Sequence, residues 1–299
     1  MSGRVRRALR SYAVALLLAC AGRVAAGDAV LSEAPGPLSP SAHTVARRIV
    51  ALAPHLVEIA YAAGAGDRLV GASAASDYPP AALTLPRVAD ASGVDLERLL
   101  LLRPDLVLAW RSGNPARSID AIRRLRIPVF LSEPLVPADI PRLVEAIGRL
   151  AGTEPVASVV AAGLATRWQR LGQTYAGRPP VRVFFEIWHA PPTTVGEHHL
   201  IAAALRACGA QVVLADARLP ASSVDPEAVI AADPDLILAA WGESDAEVTG
   251  AWADYAGLRA VQRHRVFRVD ADRLQRASPR FVDGAEILCA LIERERARR

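Results

Sequence analysis

Lysine is absent from the 299 residues: all 35 basic side chains are arginine, set against 31 acids for a formal charge of +4. We read this as composition rather than chemistry. Other absences narrow the function more. There is no phosphate-binding glycine loop, no nucleophile elbow and no CxxC pair, so an enzyme reading finds no starting point. No basic stripe runs along any segment, which removes the electrostatic footprint of a nucleic-acid binder. Cysteine is scarce, at three, and aromatic residues make up only 5% of the chain. What is abundant is aliphatic: a hydrophobic content of 52% excludes general disorder, and the length supports two lobes with cores of their own.

The charge belongs largely to the beginning of the chain. MSGRVRRALR is followed by SYAVALLLACA, an apolar run too short to span a bilayer comfortably, and the pair reads as a secretory signal over residues 1–26 with cleavage after Ala26. Cys20 leaves a lipoprotein anchor as a second possibility. Removing residues 1–26 takes away five arginines and no acid, so +4 becomes −1. Residues 27–46, rich in Pro, Ser and Gly, read as a flexible tether. Of the cysteines only Cys208 and Cys289 then remain; an oxidising compartment favours a bridge between them over two buried thiols.

From residue 47 the pattern changes. RIVALAP, RLVGAS, DLVLAW and IPVFLSE are short aliphatic runs separated by helical stretches such as HLVEIAYAAGAG and RSIDAIRRLR. Strands without polar alternation, each followed by a helix, predict a parallel sheet covered on both faces, here an N-terminal α/β lobe over 47–150. A breaker-poor segment with Pro155 at its start and Gly177 at its end predicts one long linking helix over 154–177, about 30 Å in length. VRVFFEIW, QVVLADA, DLILAAW and RVFRVD then open a second series, the C-terminal lobe of residues 178–299. The expected fold is α/β: two Rossmann-like lobes with parallel-rich sheets, joined by one backbone helix, with a ligand cleft between them.

One phrase is written twice. VDLERLLLLRPDLVLAW (94–110) and VDPEAVIAADPDLILAA (224–240) align without a gap, and each has a tryptophan at or just past its end, Trp110 and Trp241. Self-similarity of this kind is the mark of a duplicated unit. A third tryptophan, Trp188, closes the first strand run of the second lobe. Ligands of open α/β sheets bind beyond the carboxyl ends of the strands, so Trp110, Trp188 and Trp241 are candidate cleft residues.

SDYPP (76–80), VDLERLLLLRPDLVLAWRSGN (94–114) and RASPR (276–280), in this order in an exported chain, resemble the periplasmic cobalamin-binding proteins of ABC importers. These belong to the helical-backbone class of substrate-binding proteins, whose other members carry haem and siderophores. The resemblance covers residues 48–296. It implies a monomeric carrier with little domain closure that holds a corrinoid as transported ligand, needs no cofactor and no metal, and delivers its cargo to a permease dimer in the inner membrane. It also gives the duplicated phrase a purpose: Glu97 and Glu227 correspond to the acids that dock into arginine pockets of the two permease subunits, where charge-assisted bonds fix orientation. Without the resemblance they are ordinary first-turn acids favoured by the helix dipole.

Within the cleft the resemblance implies Trp110, Asp272 and Arg276 as ligand contacts. Several aromatic positions of well-known cobalamin binders instead read Ala75, Ala91, Ile187, Thr193 and Ala221 here, so part of the stacking surface is lost or moved. A haem or ferric-siderophore carrier of the same fold is the runner-up, with an axial histidine or an arginine cluster as its mark. A zinc or manganese receptor requires several histidines and an acid to converge, drawing on His55, His189, His198 and His199.

Overall fold

The computed structural model describes residues 45–298, so the expected signal with Cys20, and the tether as far as residue 44, lie outside the described residues. In the first lobe β1 (Ile49–Ala51), β2 (Leu69–Ser73), β3 (Arg87–Asp90), β4 (Gly93–Val94), β5 (Leu106–Trp110) and β6 (Val129–Ser132) form one sheet in the order β4-β3-β2-β1-β5-β6. Every pairing is parallel except β3 with β4. Four of these strands are the aliphatic runs of the sequence. The β3–β4 pair is not, because four and two residues about a tight turn carry too few apolar positions to register.

Alternation assigns the two faces. Ile49, Ala51, Leu106 and Leu108 pack toward α1 (Pro54–Ala62) and α4 (Asp139–Ala151). Val50, Val107 and Ala109 pack toward α2 (Leu96–Leu101) and α3 (Ala116–Arg124). A strand buried on both faces has no polar side to show, which is why its sequence runs aliphatic without a break.

The linking helix α5 (Glu154–Tyr175) has 22 residues, about 33 Å of rise. Its buried stripe is Ala157, Ala161, Leu164 and Leu171, and it lies close against α4, where a Cβ at Gly148 would meet the Ala157 side chain at 2.2 Å. Gly152 makes the turn between the two helices in the left-handed conformation.

The second lobe holds β7 (Val181–Trp188), β8 (Thr193–Val195), β9 (Ala210–Val212), β10 (Ala221–Ser223), β11 (Leu236–Ala239) and β12 (Val266–Arg268). Their order is β10-β8-β7-β11-β12, with β9 also beside β7; β8 and β10 run antiparallel. The expected strand QVVLADA is only three residues long, since Leu214 takes a positive φ of 62° and ends the extended run. Helices α6 (Leu200–Ala207), α7 (Pro226–Ala232), α8 (Asp245–Ala251), α9 (Arg259–Gln262), α10 (Ala271–Leu274) and α11 (Pro279–Arg296) complete it. Cys208, capping α6, is bonded to Cys289 of α11.

The duplicated phrase folds into the same unit twice, and its residues do much the same work in each, although Asp95 caps α2 with its side chain and Asp225 makes no such bond to α7. Asp95 and Asp225 precede α2 and α7, with Glu97 and Glu227 in the first turns. Arg103 and Asp233, each before a proline, take positive φ and turn the chain out of the helix. The carboxylates of Asp105 and Asp235 then accept from the backbone N–H of Arg48 and Arg182 at the entry of the neighbouring strand. Arg48 and Arg182 in turn donate to helix-end carbonyls, Leu102 O and Ala232 O. Pro-Asp-Leu is therefore a fastening that sets β5 beside β1 and β11 beside β7.

The outer faces of the two sheets have separate cores, one around Leu99 and Ile122, the other around Phe184 and Trp252. The inner faces share a single one. It runs from Ile49 and Leu143 through Ala161 and Leu164 of α5 to Phe281 and Leu288 of α11 and on to Phe185 and Leu205. Continuous close packing across both lobes resists their relative motion.

Candidate functional site

In each sheet the strand order reverses at one point: between β1 and β5 in the first lobe, between β7 and β11 in the second. Such switch points, at the carboxyl ends of the strands, are where open α/β sheets bind ligands. Both carry a histidine and a tryptophan at matching places. His55 follows β1 and meets Trp110, the last residue of β5, edge to face at 5.3 Å. His189 follows β7 and stacks on Trp241, just past β11, with ring centroids 4.7 Å apart.

Trp110 is half-buried and closely packed: a Cβ at Gly113 would meet its ring at 1.8 Å, and its backbone N–H donates to the Asn114 side chain. Trp188 is 62% exposed, its indole N–H donating to Ala190 O. Trp241 is held from behind, its N–H donating to Glu186. The structure thus places all three sequence-predicted tryptophans at the carboxyl edges of the sheets, Trp188 presenting a free aromatic face. Ala75 and Ala91 are exposed, and Ile187, Thr193 and Ala221 half-buried, so those rim positions are open and lined by small or aliphatic groups.

Asp272 and Arg276 form an ion pair at 2.8 Å. Arg276 also donates to Asp77 at 2.5 Å and to Glu58 at 3.2 Å. SDYPP and RASPR, separate signals in the sequence, therefore meet in space. Their meeting point is Glu58, an acid of α1 only 3% exposed. Its carboxylate accepts from both Nη2 (2.6 Å) and Nε (2.9 Å) of Arg280 and from the Ser278 hydroxyl (2.6 Å). Arg280 lies over the Tyr78 ring at 4.0 Å. This is a bidentate, charge-assisted joint between the lobes. The bond from Arg276 holds the Asp77 carboxyl below its usual range, and the bond to Glu58 raises the Arg280 guanidinium above its own. Behind the joint a cavity of 460 Å³ opens between α1, α5 and α11, lined by Tyr61, Tyr78, Val159 and Arg167 among others.

Glu58 and Glu186 escaped the sequence reading. Each was signalled: one is the single charge in HLVEIAYAAGAGD before its closing Asp67, the other the single acid of the strand VRVFFEIW. A lone acid within an apolar run of helix or strand marks a buried carboxylate with donors waiting.

Glu97 and Glu227 lie away from the cleft, both exposed in the first turns of α2 and α7. His198 is exposed and His199 caps α6, accepting from Ile201 N–H; burial lowers the His199 pKa. Among the described residues no three His, Cys, Asp or Glu gather as an ion site, so the zinc or manganese reading lacks the cluster it needs.

His55 is 5% exposed and its Nε2 is buried with no hydrogen-bond partner, so burial pushes its pKa down from 6.5 to about 4. The ring is neutral in the folded protein. Between pH 6.5 and 4 the unfolded chain binds a proton that the folded one refuses, so stability falls as the pH falls through this window. The loss approaches about 3 kcal/mol below pH 4. Urea midpoints of the wild type and His55→Leu should accordingly diverge in pH dependence, the variant losing less on acidification. Parallel curves would show that His55 titrates as in the unfolded chain.

Residues 49–273 match the family of periplasmic binding proteins. The vitamin B12-binding protein of Vibrio cholerae serotype O1 is 35% identical over 249 residues, 83% of this chain and 90% of the relative. That of Photorhabdus laumondii is 34% identical over 252 residues, 84% and 90% respectively. The crystal structure of the Vibrio cholerae periplasmic vitamin B12-binding protein superposes with a TM-score of 0.77, covering 84% of this chain and 98% of that one. A periplasmic haem-binding protein from Pseudomonas aeruginosa gives 0.73 at 23% identity, over 82% and 92%, a likeness of fold alone. With its two switch-point sheets, one linking helix and this continuous match, the chain belongs to the periplasmic binding protein family.

Proposed function

We propose that this protein is the extracytoplasmic substrate-binding component of an ABC importer, a carrier and not an enzyme, which captures a corrinoid between its lobes and delivers it to a permease. The observation that carries the reading is the pairing of two switch points, each with a tryptophan at its strand ends, across a fixed joint. A large flat ring with amide fringes calls for aromatic faces and a few placed polar groups. Trp110, Trp188 and Trp241 supply the first, and Asp272, with Arg276 set beside it, the second. The names of the relatives at 34–35% identity support a corrinoid over haem, since four solved haem-binding proteins of this fold match at 20–24% identity. The export signal of residues 1–26 and a periplasmic location fit the same role. No helix among the described residues is long and apolar enough to cross a membrane.

Titrating the protein with cobalamin, cobinamide, haemin and ferric siderophores, and following tryptophan fluorescence, tests the cargo. Saturable quenching by corrinoids is expected. Tight binding of haemin with no response to either corrinoid would reverse the assignment.

Delivery is assigned to Glu97 and Glu227. They are exposed, they belong to the duplicated unit, and matched acids suit a partner built from two equivalent subunits. A hydrogen bond to a charged group contributes about 1.5–3 kcal/mol, so losing both should lower docking by about a hundredfold or more. The double variant Glu97→Ala/Glu227→Ala should bind ligand as before while its uptake drops accordingly. Normal uptake by the double variant would remove the docking role.

A further inference from the structure

We infer that His189 is an axial nitrogen donor of the cleft, bonding the metal of a macrocyclic ligand that arrives with water on one face. The inference rests on the corrinoid reading above, since an axial histidine also suits haem and it is the 34–35% identical vitamin B12-binding relatives that point to cobalt, and it narrows that reading to corrinoids with an exchangeable axial position.

Glu186 is completely buried, yet three side chains bond to its carboxylate. Oε2 takes the indole N–H groups of Trp241 at 2.7 Å and Trp252 at 3.0 Å; Oε1 lies 2.9 Å from His189 Nδ1. With an acceptor-only carboxylate at Nδ1, the ring proton of neutral His189 sits there and the lone pair is left on Nε2. The imidazole is fixed in plane by stacking on Trp241 and in tilt by the edge contact with Trp252 at 5.9 Å. Its side chain is 31% exposed. Nε2 has no hydrogen-bond partner among the described residues and is not among their buried unpartnered atoms, in contrast to His55 Nε2 at the corresponding place in the first lobe.

A histidine whose second nitrogen is held by a buried carboxylate, with the other nitrogen free, is the arrangement that sets tautomer and basicity in metal-ligating histidines. One such ligand would not hold a bare ion, and no three-residue cluster is present among the described residues. A macrocycle supplies four donors of its own, so one side chain suffices. The position fits as well, since His189 stands at the β7–β11 switch point, on the same edge as Trp188 and Trp241. The step is a substitution: Nε2 gives its lone pair to cobalt(III), the bound water leaves as a neutral molecule, and no electron is transferred.

Aquocyanocobinamide is the probe. Added to the protein, it should show displaced visible bands that saturate at one equivalent, whereas dicyanocobinamide, with both faces taken, should not. Both His189→Phe and His189→Gln should lose the displacement and bind aquocyanocobinamide about tenfold or more weakly, with circular dichroism confirming that they are folded; Glu186→Gln should weaken it by a similar factor. Fluorescence quenching by aquocyanocobinamide without any displaced band would overturn the axial role and leave the corrinoid reading standing. Absence of quenching by every corrinoid would overturn both.

Discussion

Replacing Glu58 by alanine is expected to lower the unfolding free energy by about 3 kcal/mol and to weaken ligand binding with it. The carboxylate is 3% exposed and receives donors from Arg280, Ser278 and Arg276. Removing one partner of a buried pair costs about 3–5 kcal/mol, because the charge left behind has lost both water and its counter-ion. The low end applies here: Arg276 keeps Asp77 and Asp272, and the side chains of Arg276 and Arg280 retain 16% and 17% of their exposure. The affinity loss follows from position, since Glu58 belongs to α1 of one lobe and its donors to the segment that opens α11 of the other. Urea unfolding and a ligand titration on the same variant measure the two effects. Glu58→Met combined with Arg280→Met should recover part of the stability, as apolar replacement of both members of a buried pair often does. A Glu58→Ala unfolding free energy within about 0.5 kcal/mol of wild type, the range of an ordinary surface change, would show that the joint does not hold the lobes together.

This joint marks where sequence reasoning stops. Whatever is decided within one unit could be read: aliphatic strands, Asp before Glu at a helix start, Pro-Asp at a strand entry, and the long helix between Pro155 and Gly177. The two-lobed architecture and the three tryptophans at strand ends follow from such local signals. Contacts between distant segments could not be read. Glu58 and Arg280 are 222 positions apart, and no spacing rule relates them. Arg276, expected to face the ligand, has its guanidinium engaged by three carboxylates, so its first role is to join the lobes. SDYPP and RASPR were visible as motifs, but the physical reason for them, a bond from one to the other, appears only in three dimensions. The same holds for two partners of Glu186, Trp241 and Trp252, which lie 55 and 66 positions away.

Loss of the Cys208–Cys289 bond should be the second large effect, on the order of 4 kcal/mol. The bridge closes a loop with a sequence separation of 81, and the chain-entropy model assigns a loop of that size about 4.5 kcal/mol, through the restriction it places on the unfolded chain. Both cysteines are fully buried, so removing the sulfurs also leaves space in a core that packs α6 against α11. Comparing Cys208→Ala/Cys289→Ala with wild type in urea, each with and without reductant, separates the terms. Wild type should lose most of its advantage on reduction, and the variant should not respond. The effect should also reach the cleft. Cys289 sits on the helix whose first turn carries Arg280, with Ser278 at its N-cap, and the remainder of that helix is anchored to α5 by Arg167 with Asp283 and Glu286. A helix pinned at both its middle and its start holds the lobe joint in register. Freed at Cys289, it keeps its core side chains Phe281, Leu288 and Ile292 and the Arg296 bonds to the Cys208 and Pro179 carbonyls, while the α5 ion pairs, partly exposed, contribute little. Ligand affinity should therefore fall on reduction by a smaller factor than in Glu58→Ala, and combining the two changes should cost less than their sum, because each loosens the same helix. Strict additivity would mean that bridge and joint act on separate parts of the molecule.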